Sequence, residues 1–430
     1  MKRSARALPV LLRLLLFGGF CGALAAAASG QEAIRFGALI DGSGQVIEDA
    51  VVVVEGDRFV AVGSGDAAVP DRATVTDLRP LTGIPGLIDV HTHITYYWNR
   101  WPRAEPFAQH FARPVADTVV LAEENARRAL EAGVTTVRDL GSQEYADLRM
   151  RDLIERGEMV GPRIFGAGYG LFKLRKAPDA DAPLWPKGGI WDISEIDRAV
   201  KAQVDAGVDV IKMYATTGSG RDLSGIQTFT YEEIKTAVDA AHRFGRSIAV
   251  HAYGPEAARA AVLAGADSVE HAIDLDDETL AEMVSRGTVY APTIDHNRYY
   301  AEHLAVFRYS AEDKKNLDAF RARNLETARR AHAAGVTIAM GSDAVFTAFG
   351  ENTRELGWFV EIGMTSAEVL ATATTNGAAL LGMEEELGRV APGYLADLVA
   401  VDGDPLADIR VLFDGVRWVM KGGRVVVDRR

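Results

Sequence analysis

Residues 196–214 read Ile196-Asp-Arg-Ala-Val-Lys-Ala-Gln-Val-Asp-Ala-Gly-Val-Asp-Val-Ile-Lys-Met-Tyr214, and this stretch indicates the fold most directly. Ile196, Val200 and Val204 recur at the spacing of one helix face, so the first half predicts an amphipathic helix. Gly207 stands where a helix commonly ends, because glycine adopts the left-handed conformation at little cost. The β-rich run after it predicts a strand, so the stretch is one helix–strand unit of an α/β fold.

The same unit recurs through the middle of the chain. Runs that begin with glycine and continue as a predicted strand lie at 133–137, 207–211, 245–250, 265–269, 287–290 and 335–339. Two further runs, at 84–90 and 162–165, bring the predicted strands to eight. They show little alternation of polarity, which is typical of parallel strands buried on both faces. Eight such units predict a (β/α)8 TIM barrel, with an open doubly wound sheet as the alternative.

The two ends of the chain are β-rich and lack predicted helices. Val51-Val-Val-Val54 is typical of the first end, and Val416-Arg-Trp-Val-Met420 of the second. We therefore expect both ends to pair as one small β-sandwich domain. The predicted organisation is a signal peptide at 1–30, the amino-terminal segment of the β-sandwich at 31–80, the barrel at 81–386 and the carboxyl-terminal segment of the β-sandwich at 387–430.

The first thirty residues have the composition of a secretory signal peptide. Basic residues at the start precede an apolar run at 14–24 and four alanines at 25–28. The run is shorter than the roughly 20 residues of a membrane span, so cleavage is favoured over an anchor. We expect a secreted or periplasmic protein with no membrane span after cleavage. Lipid attachment at Cys21 is the alternative, although Phe20 fits a lipoprotein cleavage site poorly.

The net charge and the cysteine content restrict the expected partners and the expected metal ligands. The formal net charge is −13, which argues against nucleic-acid binding. Removal of the leader takes away four basic residues and no acidic one, so the charge becomes −17. It also removes the only cysteine, and a metal site would then depend on histidine and carboxylate ligands.

Six polar residues fall at the carboxyl ends of the predicted strands, where TIM-barrel enzymes keep their catalytic groups. They are His91, His93, Lys212, His251, His271 and Asp343. A lone strand histidine is more often a core residue than a ligand. A buried lysine, however, is costly as a cation and needs a reason. The convergence of all six therefore predicts a metal site.

These residues lie in motifs that resemble the amidohydrolase superfamily over almost all of the predicted mature chain. Within it, the sequence is most similar to the binuclear branch of Xaa-Pro dipeptidases and related dipeptidases and carboxypeptidases. The matching motifs are Pro85-Gly-Leu-Ile-Asp-Val-His-Thr-His93, Ile211-Lys-Met-Tyr-Ala-Thr-Thr-Gly218, Val250-His-Ala-Tyr-Gly254, Ser268-Val-Glu-His-Ala272 and Gly341-Ser-Asp343.

The resemblance implies two divalent metal ions, with zinc as the default for nitrogen and oxygen donors, and a carbamate on Lys212 between them. His91, His93 and Asp343 would bind the more buried ion, and His251 and His271 the more exposed one. A metal-bridging hydroxide would attack the amide or peptide carbonyl, while Asp343 acts as general base and then acid. The implied partner is a small-molecule or dipeptide substrate, or an N-acyl amino acid.

Departures from the family pattern lie near the expected leaving group. The loop after Lys212 reads Ala-Thr-Thr-Gly where relatives commonly have two glycines, and Tyr253 stands where many have a second histidine. Tyr253, His296 and Arg298 are candidate substrate contacts. A cyclic-amide hydrolase, a lactonase- or phosphotriesterase-like hydrolase, and a non-catalytic binding protein on the same barrel stay open, as does a homo-oligomer.

Overall fold

The computed structural model describes residues 30–101, 103–175 and 188–430. Apart from Gly30, the predicted leader with Cys21 lies outside these residues, so its cleavage and any lipid stay predictions. In the described ranges no helix combines the length and apolar character needed to cross a bilayer.

The α-helices of the described residues lie mainly between and after the central strands. They are α1 (Pro106–Ala112), α2 (Val115–Leu121), α3 (Glu123–Glu131), α4 (Ala146–Glu155), α5 (Ile196–Asp205), α6 (Tyr231–Arg243), α7 (Pro255–Ala264), α8 (Asp277–Arg286), α9 (Ile294–Glu302), α10 (Leu304–Phe307), α11 (Ala311–Ala334), α12 (Glu355–Glu361), α13 (Ser366–Thr372), α14 (Thr375–Leu380) and α15 (Val411–Asp414). Short 3-10 helices lie at Asp66–Ala68, Gln143–Tyr145, Ile193–Glu195, Phe346–Ala348 and Asn352–Arg354.

The strands divide into a parallel central set and a set formed by the chain ends. They are β1 (Glu32–Arg35), β2 (Ala38–Ile40), β3 (Val46–Glu48), β4 (Ala50–Glu55), β5 (Arg58–Ser64), β6 (Thr74–Asp77), β7 (Thr82–Pro85), β8 (Leu87–Thr92), β9 (Val134–Asp139), β10 (Arg163–Gly166), β11 (Leu171–Lys173), β12 (Gly189–Ile190), β13 (Val210–Tyr214), β14 (Ser247–His251), β15 (Ser268–Glu270), β16 (Val289–Ala291), β17 (Leu398–Val401), β18 (Val416–Lys421) and β19 (Arg424–Asp428).

The central strands are parallel, as the sequence predicts. β8, β9 and β10 form one sheet, and β13 to β16 pair in parallel in another. Gly265 shows how a helix gives way to a strand: its φ is 94°, its N–H donates to the Ala261 carbonyl at the end of α7, and β15 begins at Ser268. The prediction of a mixed α/β fold is confirmed.

The predicted strand at 335–339 is wrong in extent. Only Ile338 forms an isolated parallel bridge, to Tyr290. The Asn376 side-chain amide donates to the Ile338 carbonyl at 2.8 Å, and the Met340 N–H donates to the Thr372 carbonyl. Groups from the following helical segment therefore replace some of the regular hydrogen-bond ladder.

The run at 84–90, interpreted from sequence as one strand, is divided between two sheets at Gly86. β7 pairs antiparallel with β17 and parallel with β2, whereas β8 pairs with β9. A Cβ on Gly86 would lie 2.2 Å from Thr135 Oγ1 and 2.9 Å from Asp397 Cβ, so only glycine allows this close approach. The change of sheet therefore falls at Gly86 and not at the predicted barrel start, residue 81.

Strands from both chain ends share one sheet, in the order β19-β18-β17-β7-β2-β3. A second sheet, β5-β4-β1-β6, comes from the first end alone. Trp418 and Leu398 of the first sheet and Val52 and Phe59 of the second belong to one buried apolar cluster. The pairing of the ends agrees with a sandwich, whose status as a separate domain stays a prediction.

We expect Gly86→Ala to lower the free energy of unfolding by about 1–3 kcal/mol, because the added methyl overlaps Thr135. Adding Thr135→Ala removes the nearest clashing atoms and leaves the contact with Asp397 Cβ, so the double variant should regain some of the loss. Urea unfolding of both single variants and the double variant measures this coupling. A Gly86→Ala protein that unfolds at the wild-type urea midpoint would contradict the prediction.

Candidate active site

The six predicted residues line one cavity of about 450 Å³. The four histidines lie at the carboxyl ends of β8, β14 and β15, Lys212 lies within β13, and Asp343 lies in the segment after Ile338. All six are buried. The carboxyl ends of neighbouring parallel strands meet on one side of a sheet, so residues far apart in sequence lie together. The structure therefore brings the predicted set into one site.

Asp343 lies among four imidazoles. Its Oδ1 is 3.3 Å from His93 Nε2 and 3.7 Å from His91 Nε2, and its Oδ2 is 3.3 Å from His296 Nε2 and 3.9 Å from His271 Nδ1. The Asp343 N–H donates to the His91 carbonyl at 2.7 Å. A φ of 49° puts Asp343 in the left-handed region, a strained conformation typical of functional sites.

Three buried nitrogens of this site have no hydrogen-bond partner among the described residues: His91 Nε2, His251 Nε2 and Lys212 Nζ. Buried polar groups are normally paired, so three in one cavity point to a missing ligand. Burial lowers the pKa of His91, His251 and His271 well below the ordinary histidine value, which keeps their imidazoles neutral. Ligand atoms of His91, His271 and Asp343 lie within 4.8 Å of one another, and this donor set fits a metal ion.

Lys212 is 1% exposed, and its Nζ lies 5.2 Å from the centre of the Tyr214 ring. Burial lowers the pKa of Lys212 to about 8, against the opposing effect of Glu270 and Asp343. A larger fraction of the amine is therefore neutral near neutral pH than in an exposed lysine. The neutral amine is the form that can react with carbon dioxide.

A buried chain of polar groups orients His91 from behind the cavity. His91 Nδ1 lies 2.7 Å from Glu270 Oε2, and Arg138 pairs with Glu270 Oε1 at 2.9 Å. The Ser268 hydroxyl donates to the same oxygen at 2.5 Å. Because a carboxylate accepts the proton, this arrangement favours the tautomer protonated at Nδ1 and leaves the Nε2 lone pair facing the cavity.

Comparison with known proteins identifies the family. The model of the Amidohydrolase family matches residues 82–426. The chain belongs to the amidohydrolase family. This amidohydrolase is 30% identical to ochratoxinase of Aspergillus niger, over 91% of this chain and 86% of the relative.

Solved structures give the same assignment. A Xaa-Pro dipeptidase with methionine bound in its active site is 32% identical, with a TM-score of 0.83 over 92% of this chain and 99% of that chain. A prolidase complexed with N-methylphosphonate-L-proline is 27% identical, with a TM-score of 0.82 over 93% and 100%. This amidohydrolase is therefore a hydrolase of amide bonds.

Of the predicted substrate contacts, Tyr253 and His296 line the cavity of this amidohydrolase, and Arg298 does not. The Tyr253 ring stacks on His251 at 4.7 Å. The Arg298 guanidinium is paired with Asp295 at 2.7 Å and with Glu351 at 2.7 Å. The interpretation of Arg298 as a substrate contact is therefore corrected: helix α9 turns it away from the cavity and acidic side chains hold it.

Asp89, not a candidate on sequence grounds, fixes the segment that carries Asp343. Its carboxylate accepts hydrogen bonds from the Ser342 hydroxyl at 2.5 Å, the Ser342 N–H at 3.0 Å and the Asn352 amide at 2.8 Å. The His91 N–H also donates to it. Asp89 therefore links the position of Asp343 to that of His91 in this amidohydrolase.

The sequence motifs did not predict the aromatic residues that line the cavity. They are Tyr96, Phe107, Phe111, Tyr214 and Tyr300. The spacing of His296 and Tyr300 by four residues would have placed both on one face of a helix. Phe107 and Phe111 show the same spacing in α1, but neither lies near a predicted strand end.

We expect Glu270→Gln to weaken metal binding by about 10–100-fold, because glutamine no longer holds the His91 proton as a carboxylate does. Glu233→Gln is a control, because Glu233 is another buried glutamate and lies outside the cavity. Equilibrium dialysis with zinc measures both. Equal zinc affinities for wild type and Glu270→Gln would refute this role of Glu270.

Proposed function

We propose that this chain is a binuclear metal-dependent hydrolase that cleaves a carbon–nitrogen bond in dipeptides or N-acyl amino acids. The observation that carries the proposal is the set of three unpartnered buried nitrogens beside Asp343 in one cavity. Without a ligand, these three buried nitrogens would stay unsatisfied, and each would cost on the order of 1–3 kcal/mol.

We propose a closed (β/α)8 barrel as the scaffold. Backbone contacts between the sheets support closure: the Asp209 N–H donates to the Gly166 carbonyl, and the Val90 N–H donates to the Met340 carbonyl. The bridge from Tyr290 to Ile338 adds the eighth position. In this arrangement the cavity lies at the carboxyl-terminal mouth of the barrel.

The donor set suggests how two cations are shared. His91, His93 and Asp343 would hold one and His251 and His271 the other, with a carboxylated Lys212 between them. The nitrogen and oxygen donors favour zinc. When bound, two divalent cations would polarise the amide carbonyl and lower the pKa of water. The neutral imidazoles described above are the protonation state that such ligands need.

Asp343 moves the proton in this proposal. Its Oδ1 faces His91 and His93, so Oδ2 is the oxygen left to accept a proton from the attacking water. His296 Nδ1 lies 2.8 Å from the Asp343 carbonyl, and because a carbonyl only accepts, the imidazole proton is at Nδ1. His296 Nε2 can then accept a hydrogen bond from the protonated Oδ2 until the proton passes to the leaving amine.

The relatives support the substrate class. A Xaa-Pro dipeptidase, a prolidase and an ochratoxinase share this fold at 26–32% identity in the solved structures. We propose secretion or export to the periplasm after cleavage of the leader, as the composition of residues 1–30 indicates. The partner is then a small-molecule or dipeptide substrate outside the cytoplasm, and a homo-oligomer stays a prediction.

One experiment tests the proposal. Zinc-loaded protein is incubated with pooled dipeptides and N-acyl amino acids, and cleaved compounds are identified by mass spectrometry. We expect release of free amino acids and about two zinc equivalents per chain in a parallel metal analysis. Chelator-treated protein is the control. Failure to cleave any member of the pool, or equal cleavage after metal removal, would overturn the proposal.

A further inference from the structure

One wall of the cavity is built from aromatic rings. Tyr96, Phe107, Phe111 and Tyr300, here named the aromatic wall, all line it. Phe107 and Phe111 are nearly parallel, with centroids 6.4 Å apart at 16°, and the Tyr96 ring lies 6.3 Å from Phe111. The wall therefore offers a continuous apolar surface to whatever occupies the cavity.

The aromatic wall begins next to the proposed reacting groups. The Tyr96 ring is 4.8 Å from the His93 ring, and the Tyr300 ring is 4.7 Å from the His296 ring. Both histidines contact Asp343. A group attached directly to the scissile amide would therefore reach the wall without a long spacer.

The outer end of the wall is uncovered. Phe111 is 56% exposed although its neighbours are aromatic, and Phe107 is only partly buried against Phe346 at 5.0 Å. Phe346 is buried and lies behind the wall, outside the cavity lining. The wall thus has ring faces that a ligand can cover, backed by a packed aromatic cluster that holds them in place.

Charge argues against recognition of a free carboxylate at this wall. No arginine is among the described residues that line the cavity, and Arg298 is held by acidic partners elsewhere. Lys212 is the lysine of the lining, and the proposed carbamate would make it anionic. Apolar and aromatic contact is the chemistry that the wall supplies.

We infer that the aromatic wall is a subsite for an aromatic ring of the substrate. The inference rests on the proposed amide hydrolysis and makes it more specific: the chain prefers amides that carry a ring next to the scissile bond over small aliphatic amides and dipeptides. The ring sits on either the acyl or the amine side, and the experiment distinguishes the two.

Four substrates separate the contributions of the two sides: N-acetyl-L-alanine, N-benzoyl-L-alanine, N-acetyl-L-phenylalanine and N-benzoyl-L-phenylalanine. With zinc-loaded full-length protein, we expect kcat/KM for one singly aromatic substrate to exceed that for N-acetyl-L-alanine by about 10–100-fold, the usual worth of one apolar group in a pocket. An increase for N-benzoyl-L-alanine places the ring on the acyl side, and an increase for N-acetyl-L-phenylalanine on the amine side.

Variants assign the preference to the wall. Phe111→Ala and Phe107→Leu should each reduce the aromatic-to-acetyl ratio by at least about threefold, since each removes ring surface from the subsite. Phe172→Ala is the matched control, because Phe172 is also partly exposed but lies outside the cavity lining, and its ratio should equal that of wild type. Thermal midpoints of all variants verify that they are folded.

Equilibrium dialysis of the same compounds with metal-free protein gives a readout without turnover. We expect the aromatic compounds to bind more tightly than N-acetyl-L-alanine, and Phe111→Ala to remove the difference. Turnover of all four at similar rates would overturn the aromatic subsite and leave the hydrolase proposal standing. Absence of turnover with selective binding would overturn amide hydrolysis of this class instead, and absence of both would overturn both.

Discussion

Lys212→Ala should lower kcat/KM by at least about 10³-fold and reduce the bound metal from about two equivalents to one or fewer. Lys212 is buried at the centre of the proposed site, and its Nζ has no partner among the described residues. A carboxylated Lys212 would help to hold both cations, and loss of their Lewis-acid stabilisation would cost several kcal/mol, where each ~1.4 kcal/mol is tenfold in rate. Metal analysis and steady-state kinetics on the same preparation measure both effects.

The chain contains a matched control for this substitution. Lys421 is a partly buried lysine, and desolvation lowers its pKa to about 8, as for Lys212. Its Nζ donates to the Gly161 carbonyl at 2.8 Å, and neither residue lines the cavity. Lys421→Ala should therefore change stability but leave the metal content at the wild-type value. Unaltered turnover and metal content in Lys212→Ala would end the binuclear proposal.

The lowered pKa of Lys212 also predicts how the site is loaded. At a pH below this pKa of about 8 the amine is mostly protonated, and the protonated form does not react with carbon dioxide. At a higher pH the neutral amine predominates. Reconstitution of metal-free protein with zinc and bicarbonate should therefore be faster at about pH 8.5 than at about pH 6.5.

Added acetate should restore some of the activity of Lys212→Ala, because a small carboxylate can occupy the space of the lost carbamate.

Residues at strand ends could be predicted from sequence because their position depends on local pattern alone. Glycine marks where each helix ends, and the strand that follows has a fixed direction, so His251 and His271 could be placed at the same edge. The polar network of Glu270 and Arg138 that orients His91 could not be predicted from sequence. Glu270 stands in a recognised motif, but its partner Arg138 lies on β9, and only tertiary structure joins them.

Arg298 shows why residues that follow a strand were harder to assign. The segment after β16 forms helix α9. Successive helical residues are rotated by about 100°, so positions two apart lie on nearly opposite faces. His296 faces the cavity and Arg298 faces Asp295 and Glu351 instead. If this segment had been predicted as a helix, Tyr300 would have replaced Arg298 as the candidate residue of the cavity.

Asp343→Asn should lower kcat by about 10²–10⁴-fold, the usual contribution of a general acid–base group, with a smaller effect on KM. Asparagine keeps the size of the side chain and tolerates the left-handed backbone, but cannot accept and release the proton. Asp274→Asn is the matched control, since Asp274 also has a positive φ, of 57°, but is exposed and pairs with Arg323. Its kcat should equal that of wild type.

The pH profile separates this role from a purely structural one. Burial raises the pKa of Asp343 in the metal-free protein, and a bound cation would lower it. Only the ionised carboxylate accepts a proton, so wild-type kcat should fall as the pH drops through the pKa of Asp343 in the metal-loaded protein. The residual rate of Asp343→Asn should lack that acidic limb, because asparagine does not titrate. If the variant keeps the wild-type acidic limb, another group carries the proton, and the arrangement of Asp343 Oδ2 against His296 Nε2 would have to serve ligand orientation instead.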